Sequence, residues 1–194
     1  MSTELSPRVF PFSAVVEGEF CVWGGEAVNF SQKKKVLASS LYSYNPDNEC
    51  WTRRKCSGPP PPGLYAGACA AAGSSVYVYG GKDDSYSRSC SLHELDTKTL
   101  TWRLLSSAGP SRKRACDNMV TYKNKLILFG GFGDPLASTQ PAQWHGKFTN
   151  ELHTFDVEEG ESVRLKCPCW GLMSVCVMLC EGGGDVAPSL HWPI

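Results

Sequence analysis

An apolar strand that ends in two adjacent glycines occurs three times in this chain and constrains its fold more than any other feature. The three copies run from Phe20 to Gly25, from Val76 to Gly81 and from Leu126 to Gly131. A second shared element follows each copy and begins with a Leu, and ten residues past that Leu stand Trp51, Trp102 and Ser162. A period of about 50 residues is typical of repeat architectures in which each repeat forms one supersecondary unit.

Each repeat contains four short apolar segments, which predict a four-stranded antiparallel sheet. Because the segments are continuously apolar, each sheet is expected to be buried on both faces by neighbouring sheets. Radial stacking of such sheets gives a β-propeller, which also protects the strand edges. The glycine pairs supply backbone freedom where the chain leaves the sheet, and the Trp packs between blades. The structural repeat positions are therefore Gly24, Gly25, Trp51, Gly80, Gly81, Trp102, Gly130 and Gly131.

The gapless spacing places four-stranded blades at about residues 8–56, 64–106 and 112–165. Three blades are fewer than the roughly 4 to 8 that close a ring. The predicted fold is therefore an all-β, incomplete propeller over residues 1–165. The third repeat has Ser162 at the Trp position, and no fourth strand with a glycine pair follows it. Residues 166–194 are accordingly expected to form a divergent, non-repeat tail that is poorly ordered.

The glycine pair, the Leu-x-x-aromatic-Asp element and the Trp together resemble the kelch repeat, from residue 8 to about residue 165. The resemblance implies a propeller that closes with about six blades. Within that superfamily, the segments Phe20 to Gly25 and Tyr122 to Gly133 are most similar to the kelch-domain substrate receptors of cullin-RING ubiquitin ligases. This narrower resemblance implies a receptor that binds a segment of another protein.

The overall charge gives no reason to expect nucleic acid or an anionic membrane as a partner, because Lys plus Arg and Asp plus Glu both total 19. The first residues lack a basic and apolar leader, which favours a cytoplasmic or nuclear location, or both, and reduced cysteines. The longest apolar stretch, Trp170 to Cys180, is too short to span a bilayer as a helix.

The topology of a four-stranded meander sorts the charges between the two ends of the blades, because alternate connections emerge at the same end. The end beyond the glycine pairs receives most of the basic residues, and the opposite end receives Glu17, Glu19 and the acidic residues of 158–161. The basic set is Lys33, Lys34, Lys35, Arg54, Lys55, Lys82, Arg88, Arg112, Lys113, Arg114 and Lys147. We therefore expect one basic and one acidic face.

The expected basic face also carries the longest loops, residues 26–40, 82–91 and 132–151. Long loops on one face are where repeat proteins usually bind, and exposed aromatic residues near Arg often anchor peptides. The candidate ligand-binding residues are Lys82, Arg112, Arg114, Phe132, Trp144 and His145. Solvated loops with ordinary surface charge remain the alternative interpretation.

The sequence predicts no catalytic residue, no metal site and no cofactor. His93 and His153 occupy the repeat position of Tyr42, and a position that recurs in each blade is expected to be structural. The tail has possible zinc ligands, but their spacing is not that of paired zinc knuckles, so they are expected to be unliganded. These residues are Cys167, Cys169, Cys176, Cys180 and His191.

The leading hypothesis is a non-enzymatic protein-interaction module that captures acidic or carboxylate-ending peptides through Arg clusters. Leu172, Cys176 and Cys180 resemble an element by which some ligase receptors dock a cullin-RING adaptor, with a plain hydrophobic run as the alternative. A truncated isoform that is non-functional or dominant-negative is the second hypothesis. An oxidase-like kelch enzyme is disfavoured because no set of His, Tyr and Cys ligands is evident.

Overall fold

The computed structural model describes residues 5–29, 34–106, 114–115, 118–133, 147–160 and 162–165. All the regular secondary structure in these ranges is β-strand. Within them, no helix is long and apolar enough to cross a membrane. The predicted division of the chain near residue 165 stays a prediction, because residues 166–194 lie outside the described ranges.

Twelve strands form three four-stranded antiparallel meanders, in each of which the strands pair in chain order. The strands of blade 1 are Phe12–Val16, Glu19–Trp23, Leu41–Asn45 and Cys50–Arg54. Those of blade 2 are Ala68–Ala72, Ser75–Tyr79, Leu92–Asp96 and Thr101–Ser106. Those of blade 3 are Asn118–Tyr122, Lys125–Phe129, Leu152–Asp156 and Ser162–Leu165. The predicted all-β, incomplete propeller is confirmed.

Blade 2 shows why the strands are apolar throughout. Successive side chains of a strand point to opposite faces, and here both faces are covered. Val76 and Val78 pack towards blade 1, whereas Tyr77 and Tyr79 pack towards blade 3, and all four side chains are buried. We call the side of a blade towards its predecessor the front face and the other side the back face.

The core between blades 1 and 2 is built around aromatic rings. Trp102, on the front face of blade 2, meets Trp23 from the back face of blade 1 edge to face, with ring centroids 5.6 Å apart. Trp23 also contacts Phe12 at 5.5 Å. All three side chains are almost fully buried. Trp102, the repeat Trp of blade 2, is therefore an inter-blade residue that packs against the preceding blade.

The glycine pairs join neighbouring blades through the backbone. The N–H of Gly25 donates to the carbonyl oxygen of Leu64 at 2.9 Å, and that of Gly81 donates to the carbonyl oxygen of Arg114 at 3.1 Å. All six paired glycines have positive φ, which favours glycine. At Gly24 a Cβ atom would lie only 2.7 Å from the Leu64 carbonyl oxygen. The pair is thus required by both its backbone conformation and the close approach of the next blade.

A small second layer of structure, absent from the sequence prediction, lies beyond each glycine pair. In blades 1 and 3 it is a three-stranded antiparallel sheet. Its strands are Arg8–Val9, Glu26–Asn29 and Lys34–Leu37 in blade 1, and Arg114–Ala115, Phe132–Gly133 and Lys147–Phe148 in blade 3. In blade 2 the same arrangement is reduced to the single bridges Tyr65 to Lys82 and Lys82 to Arg88. We call these three elements the caps. Together they form one end of the blades, which we call the loop face.

Candidate interaction surface

Two clefts of opposite charge open on the loop face between blades 1 and 2. The acidic cleft, of about 520 Å³, lies between the first two caps and is lined by Glu26, Lys35, Val36, Leu37, Tyr65, Asp83, Asp84 and Tyr86. The basic cleft, of about 470 Å³, is lined by Trp23, Ser39, Ser40, Leu41, Arg53, Arg54, Lys55, Cys56, Pro60 and Trp102. Both are within the size range of small-ligand or side-chain pockets.

The loop of the second cap holds Tyr86 out towards the acidic cleft. The Asp83 carboxylate accepts the backbone N–H groups of Ser85 and Ser87, both at 2.9 Å. This closes a tight turn in which Tyr86 adopts a left-handed backbone conformation with φ of 61°. The Tyr86 side chain is 60% exposed, so a rigid turn presents an aromatic ring to solvent.

Carboxylates outnumber ammonium groups in the acidic cleft. Lys35 forms an ion pair with Glu26 at 2.6 Å, and this hydrogen bond with Glu26 raises the pKa of Lys35. The pair is neutral overall, which leaves the carboxylates of Asp83 and Asp84 as the excess charge of the lining. This part of the loop face therefore does not have the basic character that the sequence predicted.

The lining of the basic cleft contains three cationic side chains and no carboxylate. The Arg54 guanidinium is fixed by two contacts within blade 1. It forms an ion pair with Glu19 at 2.8 Å and donates to the Ser43 hydroxyl at 2.8 Å. Arg53 donates to the Ser40 hydroxyl at 3.0 Å and remains exposed, as does Lys55. Trp23 and Trp102 form its apolar floor.

Arg114, one of the predicted ligand contacts, has a structural role instead. Its side chain is buried, with Nη1 donating to the Gly130 carbonyl oxygen at 2.6 Å and Nη2 bound to the Glu151 carboxylate at 3.0 Å. Arg8 makes the same bond in blade 1, from Nη1 to the Gly24 carbonyl oxygen at 3.1 Å. The position is therefore structural, and the sequence contained the signal, because both Arg residues stand sixteen residues before a paired glycine.

The other predicted ligand residues are spread across the face. Lys82 is half-buried, and its backbone bridges Tyr65 by two hydrogen bonds of 2.8 and 3.0 Å. Phe132 is half-buried in the third cap, with the guanidinium of Arg88 4.8 Å from its ring centroid. The predicted contacts Arg112, Trp144 and His145 lie outside the described residues.

The expected basic face thus exposes less positive charge than the number of its Lys and Arg residues suggested. Arg88 is only 7% exposed, Arg114 is buried and Arg54 is paired with Glu19. The exposed positive charge in the described part of this face is concentrated on Arg53 and Lys55. The sequence did not single out these two residues as ligand contacts.

Two further repeat positions have structural roles. Asn45, Asp96 and Asp156 end the third strand of their blades, and each side chain accepts two backbone N–H groups of the following turn. The bond from the Thr99 N–H lowers the pKa of Asp96. His93 is buried, and this burial lowers its pKa.

The described residues contain no group of three or more His, Cys, Asp or Glu side chains that could hold a metal ion. Burial raises the pKa of Cys21 to about 11 and that of Cys69 to about 12, so both thiols are protonated at neutral pH. The tail cysteines proposed and rejected as zinc ligands lie outside the described residues.

Comparison with known proteins gives a consistent result. The family model described as KLHDC2/KLHL20/DRC7 Kelch-repeats domain matches residues 12–172. Kelch domain-containing protein 1 of Mus musculus is 28% identical over 162 residues, which is 75% of this chain and 40% of that protein. The Rab9 effector protein with kelch motifs of Bos taurus is 36% identical over 95 residues, covering 47% of this chain and 26% of the relative.

The fold has a match among solved structures. The structure of YjhT superimposes with a TM-score of 0.64 at 19% identity, covering 82% of this chain and 52% of the other. The chain spans about two fifths of the length of curated relatives such as Kelch domain-containing proteins 1 and 3.

Proposed function

Because this chain belongs to the KLHDC2/KLHL20/DRC7 kelch-repeat family, we propose that it is a protein-interaction module whose loop face binds a peptide segment of another protein. The observation that carries the proposal is the pair of clefts between blades 1 and 2, where Tyr86 is exposed on a hydrogen-bonded cap turn and Arg53 and Lys55 are exposed at the end of a blade 1 strand. Sites built on a rigid scaffold lose little conformational freedom on binding.

The basic cleft supports a preference for acidic residues in that peptide. Its lining has three cationic side chains, no carboxylate and an apolar floor. An exposed Arg can bind a carboxylate through two parallel N–H donors, and Lys adds a point charge. We therefore place the acidic or carboxylate-bearing residue of the peptide at Arg53 and Lys55, in place of the Arg114 expected from the sequence.

The acidic cleft has a complementary role in this proposal. A peptide that crosses from one cleft to the other places a neutral or basic residue beside Tyr86 and Asp84. Charges of opposite sign in neighbouring clefts fix the direction in which a peptide lies. Arg112, Trp144 and His145 remain proposed contacts on the rest of the loop face.

The resemblance to ubiquitin-ligase substrate receptors supports a finer proposal, in which the captured peptide belongs to a protein destined for ubiquitylation. A cullin-RING adaptor would then be the second partner, and the protein would act in the cytoplasm or nucleus without catalysing a reaction itself. This part rests on the kelch family membership and on the sequence resemblance, and the peptide experiment below tests the site on which it depends.

The test is binding of fluorescently labelled peptides, one acidic and one basic, by anisotropy at low and high ionic strength. Lys55→Glu is expected to weaken binding of the acidic peptide on the order of tenfold at low salt, and by less at high salt, because ions screen an exposed charge. Lys98→Glu is the control, since it makes the same change at the opposite end of the blades, where Lys98 is 66% exposed and forms a surface ion pair with Glu17 at 3.3 Å.

Tyr86→Ala tests the aromatic contact separately. Its effect is expected to be similar at both ionic strengths, because an apolar ring contact is screened little by ions. Equal responses to Lys55→Glu and Lys98→Glu would show that general surface charge, and not the basic cleft, governs binding. Binding that neither Lys55→Glu nor Tyr86→Ala weakens would place the ligand elsewhere and refute the loop-face proposal.

A further inference from the structure

In the described part of the chain, the sheet faces at both ends of the three-blade arc are uncovered. Within the described residues no strand packs on the front face of blade 1, where Val15 is 67% and Phe20 37% exposed. On the back face of blade 3, Tyr122 is 61% and Val163 52% exposed. Contiguous apolar patches exposed on a sheet face mark protein interaction surfaces.

The exposed front face of blade 1 is the repeat equivalent of the front face of blade 2, which is packed against blade 1. Phe20 holds the position of Val76 when the glycine pairs are aligned, and Tyr44 and Trp51 hold those of Leu95 and Trp102 when the Leu elements that follow, Leu41 and Leu92, are aligned. Trp102 is sealed against Trp23 of blade 1, whereas Trp51 lies half-buried against Tyr44, at 5.2 Å between ring centroids. The front face of blade 1 therefore has the aromatic residues of an inter-blade core but lacks a described blade to pack against.

The exposed back face of blade 3 is the repeat equivalent of the back face of blade 1, which packs against blade 2. Tyr122, Phe129 and Leu152 hold the positions of Val16, Trp23 and Leu41, which form the back-face half of the core between blades 1 and 2. The chain thus carries, at its two ends, two surfaces that are repeat equivalents of surfaces already packed together inside it.

We propose that two copies of this chain associate head to tail, with the front face of blade 1 in each packed on the back face of blade 3 in the other. Head-to-tail contacts generate a closed ring when the rotation between subunits closes. A ring of two three-blade arcs has six blades, within the normal propeller range.

The internal interface predicts specific contacts across the proposed one. Val16 and Ala71 pack in the core between blades 1 and 2. Their repeat equivalents are Tyr122 and Val15, so Tyr122 of one copy meets Val15 of the other. Inside the chain, the N–H groups of Gly25 and Gly81 donate to the carbonyl oxygens of Leu64 and Arg114 in the following blades. The equivalent bond across the proposed interface runs from the Gly131 N–H of one copy to the Arg8 carbonyl oxygen of the other.

The experiment measures the mass of the full chain in solution over a concentration series, by light scattering after size exclusion and by sedimentation. The wild type is expected to reach twice the monomer mass of 21.2 kDa. Val15→Asp and Tyr122→Asp are each expected to remain at the monomer mass, because every interface then contains one buried aspartate. Tyr86→Asp, an equally exposed position on the loop face, is expected to dimerise normally.

Mixing the two variants gives the decisive result. Val15→Asp keeps an intact back face and Tyr122→Asp keeps an intact front face, so an equimolar mixture can form one complete interface. The mixture is therefore expected to recover a species of dimer mass, which also shows that both variants are folded.

Three results would overturn the proposal. The wild type could stay at the monomer mass at every concentration, which leaves the faces free for a different occupant such as another blade. Either variant could dimerise as well as the wild type, which places the contact elsewhere. The mixture could fail to associate while far-UV circular dichroism shows both variants folded, which excludes a head-to-tail contact. Peptide binding by the monomer would be unaffected by any of these, so the two proposals fail separately.

Discussion

Removal of the Trp102 side chain tests the assignment of the inter-blade core most directly. Trp102 is 2% exposed and contacts Trp23 edge to face at 5.6 Å. Truncation of a buried Trp to Ala in a packed core costs about 3 to 5 kcal/mol, because transfer energy is lost and a cavity remains. Since single domains are stable by about 5 to 15 kcal/mol, Trp102→Ala is expected to remove a large share of the total.

The repeat supplies a matched control at the equivalent position of blade 1. Trp51 is half-buried on the open front face, where it contacts Tyr44 and Phe20 from its own blade. Because Trp51 is more exposed than Trp102 and contacts only its own blade, its truncation leaves no inter-blade cavity and is expected to cost about 1 kcal/mol. The same chemical change at the same repeat position should therefore differ in cost by about 3 kcal/mol, solely because one Trp has a neighbouring blade to pack against.

Urea denaturation followed by far-UV circular dichroism measures both costs. Measurements in the Val15→Asp background exclude the proposed contact with a second copy. With a slope of about 2 kcal/mol per molar urea, the midpoint should fall by about 2 M for Trp102→Ala and by about 0.5 M for Trp51→Ala. Equal shifts would mean that Trp51 is as well packed as Trp102, which would refute the open front face and the dimer argument with it.

Two further predictions concern structural positions. Arg114→Leu should destabilise the chain by about 3 kcal/mol in the same assay because it removes a buried guanidinium together with its bond to the Gly130 carbonyl oxygen and its ion pair with Glu151. Arg8→Leu, at a half-buried site, should cost about 1 kcal/mol, and similar losses for the two variants would contradict the buried role of Arg114. Asp96 has a lowered pKa because Thr99 donates its N–H to the carboxylate, so its stabilising effect is present above the unfolded-state pKa of about 3.9 and disappears as pH falls through the lower folded value. Asp96→Asn should therefore flatten the acid limb of the stability profile and lower stability modestly at neutral pH, where the ionised carboxylate accepts charge-assisted hydrogen bonds; an unaltered acid limb would disprove this assignment.

Repetition made the fold predictable. Each glycine pair and Trp was recognisable because the same residue types recur at the same offsets, and backbone requirements such as the approach of Leu64 to Gly24 act identically in each repeat. The caps escaped prediction because their strands are two to four residues long and carry little apolar pattern.

The candidate site was less predictable, because counting charges along the sequence does not show which charges are paired in space. Arg54 is neutralised by Glu19, which precedes it by 35 residues, and Arg114 by Glu151, which follows it by 37. Such pairs form only when the meander brings distant strands together. Topology correctly assigned Arg54 and Lys55 to one end of the blades, but only the side-chain contacts distinguish a buried guanidinium from an exposed one.

The backbone bonds from the first two glycine pairs to the blade that follows each of them also bear on how the chain folds during synthesis. Every donor in this series precedes its acceptor in the chain, since Gly25 is made before Leu64 and Gly81 before Arg114. A blade leaving the ribosome can close its own meander from local hairpins, but its glycine N–H must wait for the following repeat to emerge. Folding is thereby biased to proceed from the N-terminus, blade by blade. A ribosomal pause within a blade therefore leaves the preceding blade with an exposed back face and an unbonded glycine, which is the state most open to chaperones and to mispairing.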